Sequence, residues 1–283
     1  MVAGPNGSGK TTLIRALRAA RDIALPALYI NADDLRAQRR LDARAAQRLA
    51  ESLRLQAIAA GRSLLYETVM SHPSKIAELQ AAAKVGYAIT VVFVATDDPN
   101  VNIERVALRV ADGGHDVPRD RIRARHTRSL ALAPCAIAFA THAYVYDNTA
   151  WGTEATQQLQ AVLARLTLQP TVERPAMWVG ELIETVNARA IELEDFYRST
   201  KGRTDVTVPN LYGSVSEGPI AVSGKHYALQ LDSTGGKALL HDKALLSKPV
   251  LQRHSYRIEY VEGVSKVTRR SSGRLRAVKP ARK

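Results

Sequence analysis

The sequence has little cysteine and no long apolar run, and each shortage excludes a class of protein. Cys135 is the single cysteine among 283 residues, so an intrachain disulfide is excluded. It lies in an apolar stretch of helical character, where it is either a buried, inert thiol, which we favour, or a nucleophile. No apolar run approaches the ~20 residues of a membrane-spanning helix, and no charged-then-apolar leader opens the chain. We therefore expect a soluble protein of the reducing cytoplasm, without membrane contact.

Acidic residues are outnumbered: 27 Asp and Glu face 40 Lys and Arg, which gives a formal net charge of +13. The excess is uneven, because residues 1–170 carry a net charge of +6 and residues 171–267 a net charge of 0. The last sixteen residues hold seven basic groups and no acidic one. Such a tail either makes weak, nonspecific contact with nucleic acid or stays solvated and disordered.

Short β-rich runs alternate with helical stretches over the first 168 residues. This alternation predicts an α/β fold, in which a mostly parallel sheet carries helices on both faces. A phosphate-binding loop, which residues 4–11 are predicted to form, usually follows a strand of about five residues. Only three residues precede it, so either the natural start lies upstream or the first strand is very short. Strands are predicted at residues 1–3, 27–31, 63–67, 89–95 and 143–147.

The predicted secondary structure changes after this first domain. Residues 169–208 are predicted to form a linker, with two prolines near its start, and a helix over 177–199. Short β runs separated by Gly, Pro and Ser then predict a small antiparallel β-domain over 209–268. Residues 269–283 form the basic tail, which we expect to be disordered.

A phosphate-loop motif opens the chain. Residues 4–11 fit the pattern G-x-x-x-x-G-K-[ST], whose glycines let successive backbone N–H groups point at one anion. Lys10 would reach the β- and γ-phosphates of ATP, and the Thr11 hydroxyl would bind Mg²⁺. The residues expected to contact ATP here are Gly4, Pro5, Asn6, Gly7, Ser8, Gly9, Lys10, Thr11 and Thr12.

Acidic residues follow the predicted strands, at the edge of a parallel sheet where ligands bind. Asp33 is our choice for the carboxylate that orients a hydroxyl nucleophile and accepts its proton. Asp34 and Asp98 have another interpretation, as N-caps of the helices that follow. Glu67 ends a buried strand, where a carboxylate is costly unless it meets substrate, magnesium or a cation.

Seven arginines crowd residues 105–128. Arg121, Arg125 and Arg128 are spaced i, i+4 and i+7, so they share one helix face. Arginines on a mobile lid neutralise the charge of a transferring phosphoryl group, and Gly113-Gly114 offers a hinge for one. A solvated surface position is the alternative for any single arginine here. His115 either helps to bind substrate or forms a local hydrogen bond in the turn.

Together these motifs resemble the zeta-toxin-like P-loop kinases over roughly residues 1–165. The shared set also includes Asn31-Ala32-Asp33, Glu67-Thr68 and Tyr146-Asp147-Asn148. The resemblance implies an ATP- and Mg²⁺-dependent kinase of a small hydroxyl acceptor, such as a UDP-activated sugar, with an antitoxin as partner.

The resemblance also implies roles for individual residues. It makes Asp33 the general base and Lys10, Arg109 and Arg125 further catalytic residues, with Arg128 a rival for the last position. Asn148 would lie near the adenine. The residues it implies for contact with the acceptor are Asp33, Glu67, Thr68, His115 and Arg128.

Residues 209–268 resemble, less closely, the KfrB-type domain of plasmid-encoded proteins. This implies a plasmid or mobile-element setting more than a reaction. The competing function is therefore a plasmid-maintenance or DNA-associated protein that uses ATP binding as a switch. A GTPase is disfavoured, because no Asn-Lys-x-Asp motif follows the later strands.

Overall fold

The computed structural model describes residues 1–20, 25–114, 116–150, 157–200, 205–233 and 237–270. His115 and residues 271–283 of the basic tail lie outside this part of the chain. The chain divides into two compact units, with the boundary between Ala190 and Ile191.

The first unit alternates strands and helices as the sequence predicts. Its elements are β1 (Val2–Ala3), α1 (Lys10–Ala20), β2 (Leu28–Ile30), α2 (Ala32–Arg39), α3 (Ala43–Ala59), β3 (Leu64–Thr68), α4 (Ser74–Lys84), β4 (Thr90–Ala95), α5 (Pro99–Ala111), α6 (Arg119–Ile137), β5 (His142–Asp147), β6 (Gln158–Ala164), β7 (Thr167–Pro170) and the first half of α7 (Met177–Thr200).

Seven strands form one sheet in the order β2-β3-β1-β4-β5-β6-β7. The five strands from β2 to β5 in this order are parallel, and β6 and β7 add an antiparallel edge. The two-residue β1 lies at the centre, between β3 and β4. This architecture confirms the predicted fold class. The sequence did not predict β6 and β7.

Alternate residues of β4 face opposite sides of the sheet, and both sides are covered. Val92 and Val94 pack in a cluster with Leu13 and Ile14 of α1. The ring of Phe93 points the other way and meets Trp178 of α7 edge-on, with ring centroids 6.0 Å apart. Helices on both faces hold the central strands, which fixes the loops that leave their carboxyl ends.

The second unit contains a six-stranded sheet, as the predicted β-domain requires. The strand order is β13-β12-β9-β10-β11-β8, and all pairs are antiparallel except β8 with β11. Its strands are β8 (Val206–Thr207), β9 (Gly213–Ser223), β10 (Tyr227–Leu231), β11 (Ala238–Asp242), β12 (Ser255–Val261) and β13 (Val264–Arg269). A 3-10 turn at Lys243–Leu245 follows β11.

The second half of α7 belongs to this unit. Phe196 packs against Tyr227, Leu229 and Leu240 in one apolar cluster.

Within the ranges that the structure covers, no helix has both the length and the apolar character needed to cross a membrane. Cys135 is buried in α6, as its apolar surroundings predict.

Candidate active site

The phosphate loop connects β1 to α1 and needs glycine where it turns. Gly7 has φ 74°, and a Cβ there would lie 2.6 Å from the carbonyl oxygen of Asn102. Gly9 has φ 92°, and a Cβ there would lie 2.3 Å from Nδ2 of Asn148. Both positions combine a left-handed backbone with contact closer than any side chain permits. The loop therefore has a closely packed, left-handed backbone at two glycines, as a phosphate-binding loop requires.

Lys10 begins α1 and folds over this loop. Its Nζ donates to the carbonyl oxygens of Gly4 and Pro5, at 2.8 Å each. Burial lowers the pKa of Lys10 to about 8, while the carboxylates of Glu67 and Asp33 raise it and Arg109 lowers it further. Three charged residues that the sequence places in the site therefore lie close enough to act on Lys10.

Glu67 lies at the centre of a hydrogen-bonded cluster. Its Oε2 accepts a hydrogen bond of 2.9 Å from the Thr11 hydroxyl. Its Oε1 accepts from the Tyr29 hydroxyl and, at 3.1 Å, from Nδ2 of Asn31. These partners explain how a carboxylate is accommodated at the end of a largely buried strand. Tyr29 lies on β2, which pairs with β3, Asn31 directly follows β2, and Thr11 lies in the first turn of α1.

Asn31 joins this cluster to the predicted base. It is the N-cap of α2, where its Oδ1 accepts from the backbone N–H of Asp33 at 2.8 Å. The N-cap interpretation of Asp34 is therefore wrong, because the helix begins three residues earlier than Leu35, and Asp33 and Asp34 both lie in its first turn. For Asp98 the cap is confirmed: it accepts from the backbone N–H of Asn100 at 2.8 Å.

One turn of α6 contacts three loops at this edge. Arg125, which is half-buried, donates from a guanidinium nitrogen to Oδ1 of Asn6 in the phosphate loop at 3.2 Å. His126 bonds to the carbonyl oxygen of Thr96, after β4, at 2.9 Å. Arg128 and Ser129 donate to the loop after β3, to the carbonyl oxygens of Ser71 at 3.2 Å and Val69 at 2.8 Å.

The arginines singled out by sequence therefore differ in position. Arg125 reaches the phosphate loop directly, and burial lowers its pKa, with Arg121 and Arg128 acting in the same direction. Arg128 contacts the loop after β3 instead. Arg109 lies near the end of α5 and is exposed, next to the predicted hinge, where Gly113 has φ 84°.

Asn148 closes the other side of the phosphate loop. Its Nδ2 donates to the carbonyl oxygen of Ser8 at 2.9 Å. Arg105 holds the segment that follows, by donating to the carbonyl oxygens of Asn148 at 2.7 Å and Ala150 at 2.8 Å. Asp147, just before, accepts from the indole N–H of Trp178 at 2.8 Å. The strand-end motif is thus tied both to the loop and to α7.

Several of these contacts are not predicted by the residue pattern. The pattern places Tyr29 in a strand and gives no role to Asn102. The Asn102 amide donates to the carbonyl oxygen of Asn6 at 2.7 Å, and its Oδ1 accepts from the Thr96 hydroxyl. One signal was available: a polar residue such as Asn102 among the apolar positions of α5 predicts a buried partner.

The described residues contain no group of three or more His, Cys, Asp or Glu that could hold a metal ion. Magnesium beside a nucleotide needs fewer protein ligands, because phosphate oxygens and water complete its shell. The oxygen groups of Thr11 and Glu67 fit such an ion.

The fold and the loop define a P-loop protein of the kinase-like class. The family model of the zeta toxin matches residues 1–148, just over half of the chain. The chain belongs to the zeta toxin family. The family match does not extend to residues 209–268, so the KfrB-type resemblance stays a prediction.

The solved structures that are similar to this chain include two with toxin names or bound ATP in their descriptions. One describes the PezAT chromosomal toxin–antitoxin system of Streptococcus pneumoniae; the match has 16% identity and a TM-score of 0.39, and it covers 69% of this chain and 86% of that one. The other is AvrRxo1-ORF1:-ORF2 with ATP, with 12% identity, a TM-score of 0.44 and coverage of 65% and 61%. None of the curated proteins matches the chain. Similarities this distant carry no argument about function, which therefore rests on the family match and the site.

Proposed function

We propose that this protein is an ATP-dependent kinase that transfers the γ-phosphoryl group of ATP to a hydroxyl group of a small molecule. One observation carries the proposal: the phosphate loop, its lysine, Glu67 near the end of β3 and Asp33 in the first turn of α2 converge at one edge of the sheet. The electrostatic coupling of Lys10 to Glu67 and Asp33 reflects this convergence. A binding switch also uses one carboxylate near magnesium, so it is the second, exposed carboxylate of Asp33 that favours transfer to a hydroxyl group.

Asp33 is the proposed general base. It is exposed in the first turn of α2, and its backbone N–H is held by Asn31. A carboxylate there orients the acceptor hydroxyl and accepts its proton as the oxygen attacks phosphorus. Lys10, Arg109 and Arg125 neutralise the negative charge that spreads over the phosphoryl oxygens.

The remaining candidates bind the two substrates. Residues 4–12 hold the phosphates of ATP through backbone N–H groups, and Asn148 supports the loop from the adenine side. Thr11 would hold Mg²⁺, which supplies charge neutralisation between the phosphates. The proposed acceptor contacts are Asp33, Glu67, Thr68, His115 and Arg128, and His115 lies outside the described residues.

The finer proposals come from the family. A UDP-activated sugar is the candidate acceptor, and an antitoxin that covers the nucleotide site is the candidate partner. We propose that the protein acts in the cytoplasm, where both ATP and nucleotide sugars occur.

The test is incubation of the protein with ATP and a cell metabolite extract, followed by mass spectrometry. We expect one metabolite to gain the mass of a phosphoryl group, and UDP-N-acetylglucosamine to do so when supplied alone. Lys10→Ala is the matched control and should produce no gain while its thermal midpoint stays close to that of the parent protein. A phosphorylated product that Lys10→Ala forms equally well would refute the kinase.

A further inference from the structure

We propose that Tyr29 and Asn31 are positioning residues that hold the Glu67 carboxylate against the Thr11 hydroxyl, and so prepare that hydroxyl for the magnesium ion that accompanies ATP. The inference rests on the proposed function and adds to it a role for two residues of β2 and its end. It also gives Glu67 a task besides contact with the acceptor.

The direction of the hydrogen bond between Thr11 and Glu67 is the first step. An ionised carboxylate only accepts, so the hydroxyl proton of Thr11 points at Glu67 Oε2, 2.9 Å away. A hydroxyl has one proton and two lone pairs. With its proton committed to Glu67, Thr11 keeps its lone pairs for a cation. A hydroxyl that rotated freely would have to be ordered when the metal binds.

The second step concerns what holds Glu67 in place. Its other oxygen, Oε1, accepts from the Tyr29 hydroxyl and from Nδ2 of Asn31. The same Nδ2 also lies 2.9 Å from the Tyr29 hydroxyl oxygen. Two donors from one strand end therefore fix the carboxylate, in the way that outer partners orient a metal ligand.

The third step is the rigidity of Tyr29 itself. Its ring packs on the apolar cluster of α1 and the central strands. The guanidinium of Arg18 lies over the ring, 4.7 Å from the centroid. Burial raises the pKa of Tyr29 well above its ordinary value, and the hydrogen bond to Glu67 acts in the same direction. The hydroxyl thus stays a neutral donor with a fixed direction.

Asn31 extends the cluster to the base. Its Nδ2 serves Glu67 while its Oδ1 caps α2 at the N–H of Asp33. A single side chain thereby links the residue that orients Thr11 to the residue proposed to accept the proton. Through this link, the hydroxyl that would meet magnesium and the carboxylate that would meet the acceptor are held in a fixed arrangement.

The experiment measures binding of a non-hydrolysable ATP analogue, adenylyl imidodiphosphate, with MgCl₂ and with EDTA by calorimetry. The quantity of interest is the magnesium-dependent gain in affinity. Tyr29→Phe removes one donor and keeps the ring and its stacking. Asn31→Ser removes the other and keeps an oxygen that caps α2. We expect each variant to lower the gain by about tenfold or to abolish it, with affinity in EDTA unchanged.

Tyr144→Phe is the matched control, because Tyr144 packs on the same apolar cluster. It should keep the full gain. An unchanged gain in both Tyr29→Phe and Asn31→Ser would overturn the inference, and so would an equal loss with magnesium and with EDTA. If the parent protein bound no nucleotide under either condition, the proposed function itself would fail. Circular dichroism of each variant confirms that it is folded.

Discussion

Asp33 and Asp34 are neighbours in the first turn of α2, and both are exposed, yet we expect only one of them to serve catalysis. Asp33→Asn should lower the transfer rate by roughly 100-fold or more, the usual effect of a general base, and retain nucleotide affinity. Asp34→Asn should remove only a favourable charge at a helix N-terminus, worth about 0.3–1 kcal/mol. Transfer rates and analogue binding decide between them, and exchanged phenotypes would show that the base is Asp34.

In the second unit, the buried residue His241 makes the stability of the fold depend on pH in the acid range. It hydrogen-bonds Gln230 Oε1 through Nε2 and the Tyr260 hydroxyl through Nδ1, both at 3.0 Å. Gln230 Oε1 only accepts, so Nε2 carries a proton, and in the neutral ring Nδ1 accepts from the Tyr260 hydroxyl. Burial lowers the pKa of His241 from 6.5 to about 4.

The sign of the pH effect follows from proton binding. Between pH 6.5 and 4 the unfolded chain takes up a proton at His241 that the folded chain refuses, so stability falls as pH falls. The full loss is about 3 kcal/mol. Hydrogen exchange of β10 and β11, corrected for intrinsic rates, should show protection falling over this window. His241→Gln donates and accepts without titrating, so its protection should depend less on pH. Equal slopes in both proteins would contradict the assignment.

The residue pattern identifies some site residues and not others, for a physical reason. The phosphate loop is contiguous, so its spacing alone defines a cradle. Tyr29 bonds to a carboxylate 38 positions away, and Asn102 to a carbonyl 96 positions away. Such pairs arise from strand order, which the residue pattern does not contain. Glu67 was recognised because a charge at the end of a buried strand requires partners, although the pattern did not identify them.

Among the elements, α6 joins the loops of the site. The turn from Arg125 to Ser129 bonds to the phosphate loop and to the loops after β4 and β3. The last of these loops contains Met70, buried with φ 52°, a strained angle for a residue with a side chain. A hydrogen bond from Ser129 to the preceding carbonyl helps to hold that conformation.

Ser129→Ala should therefore lower the unfolding free energy by about 1–3 kcal/mol, because the carbonyl of Val69 loses its buried donor. Urea denaturation measures this loss. Thr127→Ala, in the same turn but exposed, is the matched control and should change stability by less than about 0.5 kcal/mol. If the two variants were equally stable, α6 would not support the loop after β3.

The central strands of the first sheet could be predicted from the residue pattern, but its edge strands β6 and β7 could not. The central strands were predicted, since each is a short apolar run between helices. The pattern places the residues of β6 and β7 at the end of the domain and the start of a linker, because prolines stand at positions 170 and 175. Pro170 is the last residue of β7, at the edge of the sheet, where a missing N–H costs nothing. Proline therefore marked a sheet edge rather than a domain boundary.

At the scale of the whole molecule, charge and chemistry are separated along the sequence. The phosphate loop, both site carboxylates and the arginines of α5 and α6 all lie before residue 130. The segment 171–267 has a net charge of 0, and five basic residues with no acidic one follow Arg270. We expect phosphoryl transfer to belong to the first unit and any affinity for nucleic acid to belong to the tail.

A chain that ends at Arg270 tests this division. Arg270 is the natural limit, because its backbone N–H bonds to Ser255 and its guanidinium to Glu217. The shortened protein should transfer phosphate at the parent rate and lose affinity for duplex DNA.

Binding of DNA by the full chain should be independent of sequence and should weaken with salt, with a slope of log affinity against log salt concentration of about −0.9 per phosphate contacted. The five basic groups that the truncation removes account for at most about −4.5 of that slope. A full-length chain with the tail residues in scrambled order is the control and should bind as the parent does, since charge alone is read. Sequence-selective binding by the shortened chain that resists salt would contradict this division and favour the plasmid-maintenance function instead.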